Sequence, residues 1–131
     1  VKKTDKILVT GSTGLVGSAI VRKLKELGYT NIFKPSHKVL ELEKQVQIQN
    51  YFMLVQPEYV FHCAAKVGGI LANSIYPAEF IGNNIVVSSN IINACHKFGV
   101  KKLLNLGSSC FPEGTVIHTK DGFKNIENVL I

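Results

Sequence analysis

The feature that most constrains this chain is a glycine triplet at even spacing, Gly11-Ser12-Thr13-Gly14-Leu15-Val16-Gly17, set between two segments of different periodicity. Before it, Ile7-Leu8-Val9-Thr10 is a short apolar, β-branched run that reads as a strand. After it a helical pattern begins at about Gly14, with Leu15, Val16, Ala19, Ile20, Leu24 and Leu27 expected on one face and Gly28 at the helix C-cap. Between a strand and a helix, the first glycine allows a tight turn and the second lets the backbone approach a pyrophosphate. The third lets the helix pack closely on the sheet. The amides of the first helical turn and the positive end of the helix dipole then face an anion. The alternative is a purely structural turn, because glycine-rich turns are common.

The same alternation of strand and helix continues down the chain. Asn31-Ile32-Phe33 reads as a second strand. The polar stretch Lys34 to Lys38 leads to Leu40-Glu41-Leu42-Glu43 and a helix through Val46, Phe52 and Val55, closed by Pro57. Tyr59-Val60-Phe61-His62-Cys63 is a third strand, followed by a Gly- and Asn-containing loop from Lys66 to Tyr76. Pro77 suits the first turn of a long helix to Phe98, with Gly99 behind it, and Leu103-Leu104-Asn105-Leu106 is a fourth strand ending at Gly107. Such alternation needs crossover connections, hence a parallel sheet with helices on both faces: an α/β, doubly wound Rossmann sheet, amino-terminal half only. After Cys110 the pattern changes, and Thr115 to Thr119 with Phe123 onward reads as a β-hairpin around Asp121-Gly122.

Composition sets the wider limits. At 131 residues and 46% apolar, the chain is one ordinary domain in size, neither collagenous nor low-complexity. Its net charge of +6 divides unevenly: thirteen Lys and Arg against six Asp and Glu up to Ser109 (+7), and two against three afterwards (−1). The cations form short clusters without an aromatic ladder, which suits a solvated basic face or attraction for a polyphosphate ligand better than nucleic-acid binding. Cys63, Cys95 and Cys110 have spacings of 32 and 15, unsuited to a Cys-x-x-Cys metal pair or a disulfide framework, and no histidine spacing suggests a metal. Reduced thiols, the absence of a membrane-length apolar run and a polar Val1 to Lys6 lead to the expectation of a cytoplasmic protein.

The second strand should decide which nicotinamide cofactor is preferred. A carboxylate at its end would bind a ribose 2′-hydroxyl and cations would bind a 2′-phosphate. Phe33 is followed by Lys34, Pro35, Ser36, His37 and Lys38, with no acid before Glu41, so NADPH is expected, with Ser36, His37 and a lysine around the phosphate. Glu41 and Leu42 fall where the chain would pass the adenine; an acidic helix start is the other reading. Ala64 and Ala65 are small enough to admit a cofactor, and His62 beside them reads as structural. Gly107-Ser108-Ser109-Cys110 lies at the carboxyl end of the fourth strand, where open α/β sheets bind ligands. A hydroxyl there can hydrogen-bond a substrate carbonyl, and a thiol can carry a proton or attack as a nucleophile. Cys63 and Cys95 read as packing, while Asn83, Asn84 and Asn90 on the long helix are polar choices suited to hydrogen bonds with the sheet or a loop.

Val9-Thr10-Gly11 with Gly14 and Gly17, His62-Cys63-Ala64-Ala65, and Asn90 together resemble an extended short-chain dehydrogenase/reductase. More narrowly, Ala64 to Ile70, Asn73, Tyr76 to Ile81 and Leu106 to Cys110 resemble the GDP-L-fucose synthase family over essentially Lys6 to Cys110. That resemblance implies an NADP-dependent oxidoreductase and epimerase. Its members epimerise C3 and C5 of a nucleotide sugar, GDP-4-keto-6-deoxy-D-mannose, then reduce C4, and the complete enzyme is a homodimer. By motif position it implies Ser108 on the sugar carbonyl, Cys110 in proton transfer, and Leu106, Gly107, Ser108 and Ser109 beside the nicotinamide. The other implied outcomes are a different NAD-dependent epimerase/dehydratase of nucleotide sugars, or a nucleotide-binding fragment without catalysis.

Departures from the family pattern are equally informative. No tyrosine follows Tyr76, so the family's Tyr-x-x-x-Lys pair is absent and the chain alone is expected to be inactive. Thr13 stands where family members can carry an arginine toward the 2′-phosphate, which slightly lessens the expected NADPH preference. The family continues Cys-Ile-Tyr-Pro, whereas this chain reads Cys110-Phe111-Pro112-Glu113-Gly114-Thr115. Cys110, Gly114-Thr115, the short strand, Asp121-Gly122 and Ile126-Glu127 resemble the opening of an intein, a self-splicing element whose first thiol attacks the preceding carbonyl. The expected organisation is therefore residues 1–109 from the Rossmann half and residues 110–131 from an intein, joined at the scissile Ser109–Cys110 bond.

Overall fold

A computed structural model describes residues 1–64, 75, 77–106, 116–119 and 122–125. Its elements run β1 (Ile7–Thr10), α1 (Leu15–Glu26), β2 (Ile32–Phe33), α2 (Gln45–Val55), β3 (Tyr59–His62), α3 (Pro77–Lys97), β4 (Lys102–Asn105), β5 (Val116–Thr119) and β6 (Gly122–Asn125). The first four strands form one parallel sheet in the order β2-β1-β3-β4. Leu8 pairs with Phe33 on one side and Val60 on the other, and Val60 pairs with Leu103. The chain leaves β1 for one edge of the sheet and returns past it to β3, so the strand order reverses at β1, the place where open α/β sheets bind ligands.

All four residues of β1 are buried, as a central parallel strand covered on both faces requires. Ile7 and Val9 pack with Val21 and Leu24 of α1 on one face. Leu8 and Val60 pack with Ile48 and Phe52 of α2 and with Val87, Ile91 and Ala94 of α3 on the other. Fully burying a side chain such as Ile48 or Phe52 contributes about 1.5–3 kcal/mol, so the second cluster is the principal core.

The face that α1 buries differs from the expected one. Gly17, Val21 and Leu24 turn inward, whereas Leu15 is 90% exposed and Val16 and Leu27 are half exposed. The tight glycine turn fixes this phase, because Gly17 must lie against the Gly11 carbonyl and its helical successors then follow it to the sheet. Past Leu27, Gly28 has φ +84° and the Tyr29 amide donates to the Leu24 carbonyl, which ends the helix in a Schellman turn. Gly99, at φ +67°, closes α3 in the same way.

Leu40 to Glu43 precede α2 as non-helical chain, and Val46, within the helix as expected, is exposed. In Leu40-Glu41-Leu42-Glu43 apolar and acidic residues alternate into a turn at Leu42-Glu43, and both leucines are buried. β5 and β6 form the expected antiparallel pair, in which Val116 faces Asn125 and Thr119 faces Gly122. Among the described residues no helix is long and apolar enough to cross a membrane.

Candidate functional site

The glycine turn is built by close contact rather than by side chains. Gly11 has φ +68°, and a Cβ on it would lie 2.7 Å from the Ala64 amide nitrogen and 2.8 Å from the Cys63 carbonyl carbon. A Cβ on Gly17 would overlap the Gly11 carbonyl oxygen, whereas one on Gly14 would meet that oxygen at an ordinary 3.4 Å. Steric need is therefore absolute at the first and third glycines. At the second, the gain from having no side chain lies toward the open side of the loop.

Gly14 is the N-cap of α1, no side chain caps the helix, and its first turn carries no acid. The amide donors of that turn and the positive end of the helix are thus left for an anion. In front lies a cleft of about 290 Å3, lined by Thr10, Gly11, Ser12 and Thr13 from the loop, by Pro35 to Lys38, by Leu40 and Leu42, and by Ala64. The lining thus combines two leucines, the glycine loop and a basic, hydroxyl-bearing corner. Among the described residues no carboxylate lines it.

Ser36, His37, Leu42 and Ala64 therefore stand together with Gly11, Ser12 and Thr13, as the sequence pattern anticipated, and Lys38 is the lysine beside them. Glu41 is different: its carboxylate faces Lys44 at 2.9 Å, its amide donates to Gln47 Oε1, and it does not line the cleft. The hydrogen bond with Lys44 holds its carboxyl below the usual range. Leu15 and Val16 contribute helix-start backbone, Gly17 lies beneath the loop, and the Leu106 amide donates to the His62 carbonyl at 3.0 Å. Sequence reasoning missed Thr10 and Leu40; the alternation at Leu40 to Glu43 was the available signal for the latter. Ala65, Gly107, Ser108, Ser109 and Cys110 lie outside the described residues.

His62 ends β3 directly beside this cleft and is 2% exposed. Its Nδ1 lies 2.7 Å from Thr10 Oγ1, and its Nε2 has no partner among the described residues. Burial pulls its pKa down, which favours the neutral ring. Burial pushes the Cys63 thiol up and the Cys95 thiol up to about 11, which disfavours the nucleophilic thiolate at both. No group of three potential metal ligands occurs among the described residues.

A parallel sheet whose order reverses at β1, with a glycine turn and an uncapped helix start at that point, defines a Rossmann-type nucleotide-binding unit. The chain belongs to the NAD dependent epimerase/dehydratase family, whose model matches residues 7–124. GDP-L-fucose synthase 1 of Arabidopsis thaliana is 53% identical over 108 residues, 82% of this chain and 33% of that protein. The structure of the protein DdhaC superposes with a TM-score of 0.83 at 41% identity, covering 91% of this chain and 35% of the other. That of a GDP-L-fucose synthetase from Naegleria fowleri bound to NADP gives 0.70 at 33% identity, covering 80% and 32%. The chain spans about a third of the length of the curated relatives it matches.

Proposed function

We propose that residues 1–109 are the cofactor-binding part of an NADP-dependent GDP-L-fucose synthase. The complete enzyme would epimerise GDP-4-keto-6-deoxy-D-mannose at C3 and C5 and reduce it at C4, acting in the cytoplasm as a homodimer. The observation that carries this reading is the cleft itself, which joins an uncapped glycine-loop helix to a corner made of Ser36, His37 and Lys38. The residues fit the cofactor. Loop and helix-start amides would hold the pyrophosphate, the Ser36 to Lys38 corner a 2′-phosphate, and Leu40 and Leu42 the adenine. NADPH, when bound, supplies the hydride for C4. Thr10, Gly11 and Ala64 form the floor at the carboxyl ends of β1 and β3, where the Gly11 and Ala64 backbones approach too closely for a side chain on Gly11. Ser108 would donate a hydrogen bond to the sugar carbonyl and a cysteine at position 110 would move the epimerisation protons, both by motif position.

We further propose that residues 110–131 begin an intein. The Cys110 thiolate would attack the Ser109 carbonyl, forming a thioester as the Ser109–Cys110 peptide bond breaks and its nitrogen takes up a proton as the free amine. Support comes from the residue pattern at Cys110, Gly114-Thr115, Asp121-Gly122 and Ile126-Glu127, and the antiparallel β5–β6 pair is compatible with it. The family match itself runs through Lys124 and so does not mark this junction. After excision, the first residue of the downstream segment would restore the enzyme's own cysteine.

The test has two arms. Titration of the 131-residue chain should show NADPH binding without turnover of the keto-sugar; absence of NADPH binding would sink the enzyme reading. A chain extended to the intein's end should excise it, and Cys110→Ala should abolish thioester formation; persistence of the thioester in that variant would refute the splicing reading.

A further inference from the structure

The segment joining β2 to α2 carries much of the cleft wall, and among the described residues it has no strand partner past Phe33. Its own bonds are short-range: the Val39 and Leu40 amides donate to the Ser36 carbonyl, and the Lys44 amide to that of Glu41. Among the described residues, two side chains tie it down from outside. Gln47 Oε1 accepts from the Glu41 amide at 3.0 Å. Asn90 Nδ2, on α3, donates to the Leu42 carbonyl at 3.0 Å and the Glu43 carbonyl at 3.2 Å.

Asn90 is half-buried at the margin of the stripe of Val87, Ile91 and Ala94 that α3 packs into the core shared with Leu40 and Leu42. Even partial removal of an amide from water has a cost unless its hydrogen bonds are met. Here they are met by successive carbonyls of a non-helical segment, acceptors that neither a strand ladder nor a helix supplies. An asparagine amide offers two N–H donors to such a pair; serine offers one and aspartate none.

We propose that Asn90 is a positioning residue for the adenine and 2′-phosphate side of the cleft, acting through the backbone of Leu42 and Glu43. The proposal rests on the cofactor reading above. Leu42 lines the cleft directly, and Ser36 to Lys38 are continuous with it. The glycine loop is held instead by β1, β3 and α1, so it does not depend on Asn90.

The two halves of the cleft can be probed separately by calorimetric or NMR titration of the 131-residue chain with 2′,5′-ADP and with inorganic pyrophosphate. Asn90→Ala should weaken 2′,5′-ADP about tenfold, the loss of roughly one well-made hydrogen bond, while pyrophosphate affinity stays within about twofold. Asn90→Asp, which turns a carboxylate toward two carbonyls, should weaken it at least as much. Gln47→Ala, which cuts the second tie without touching α3, should show the same selectivity if the α3 variants fold poorly. Equal losses for both probes, or no loss for 2′,5′-ADP, would overturn the proposal while leaving the cofactor reading intact. Failure of the unaltered chain to bind either probe would overturn both.

Discussion

The Thr10 hydroxyl and His62 Nδ1 lie 2.7 Å apart inside the sheet, so the ends of the two central strands are joined by a side-chain bond as well as by their ladder. The ring is buried, burial lowers its pKa, and its Nε2 has no partner among the described residues. An unfolded chain takes up a proton on this histidine below about pH 6.5, whereas the folded chain resists it. Stability should therefore fall as pH drops through and below that value, by at most about 1.4 kcal/mol per pH unit for one proton. Urea midpoints measured from pH 7.5 to 5 should show the decline, and His62→Gln should flatten it. An equally steep decline in that variant would assign the effect elsewhere.

Glu58 titrates in a different window. The hydrogen bond with Lys101, and then the Lys6 amide, hold its carboxyl below the ordinary value. Its contribution is complete above the unfolded carboxylate pKa and is lost as pH falls through the lowered folded one. Glu58→Gln should thus leave the pH 7.5 to 5 slope unchanged and reduce acid sensitivity only below it.

Gly17→Ala should damage both fold and cofactor binding, because its methyl group would occupy the position of the Gly11 carbonyl oxygen. A backbone neighbour cannot swing aside as a flexible side chain can, and a cost of about 1–3 kcal/mol is expected. Gly14→Ala, with its Cβ at ordinary contact distance, should retain stability yet lose NADPH affinity. Denaturant midpoints and titrations on both variants separate the two effects.

Lys38→Glu should lower discrimination in favour of NADPH. It puts a carboxylate into a corner that has none among the described residues, beside Ser36 and His37. NADPH affinity should fall about tenfold or more and NADH affinity should change little. Unchanged discrimination in parallel titrations would remove this corner from the 2′-phosphate site.

Cys95 should be inert in the folded chain, being 7% exposed with its thiol pushed up to about 11. Iodoacetamide at pH 8 should label it only after denaturant is added. Phe52→Ala, at the centre of the same core, should cost about 3–5 kcal/mol and make Cys95 accessible at lower denaturant.

Much of the fold was legible because its signals are local. A β-branched run before Gly11, glycines behind α1 and α3, and a proline opening α3 each act through neighbouring residues. The lining of the cleft was legible where the same was true, at Gly11 to Thr13 and at Ser36 to Lys38. Errors arose where packing overrode periodicity. Leu15 and Val16 looked like core because they fit the helical stripe, but contact between Gly17 and Gly11 rotates that stripe toward Val21 and Leu24. Glu41 reads in the sequence as a residue beside the adenine; in the structure its carboxylate faces Lys44 and its amide donates to Gln47.

By itself, the sequence determined the order of strands and helices, the glycine turn and the basic corner, since each depends on residues within a few positions of one another. Tertiary structure alone decided that Thr10 meets His62 across 52 residues, that Ala64 closes on Gly11, and that Asn90 reaches Leu42 across 48. Those pairings are set by which helix faces share a core and by the register of parallel strands, and neither leaves a periodic trace in the chain.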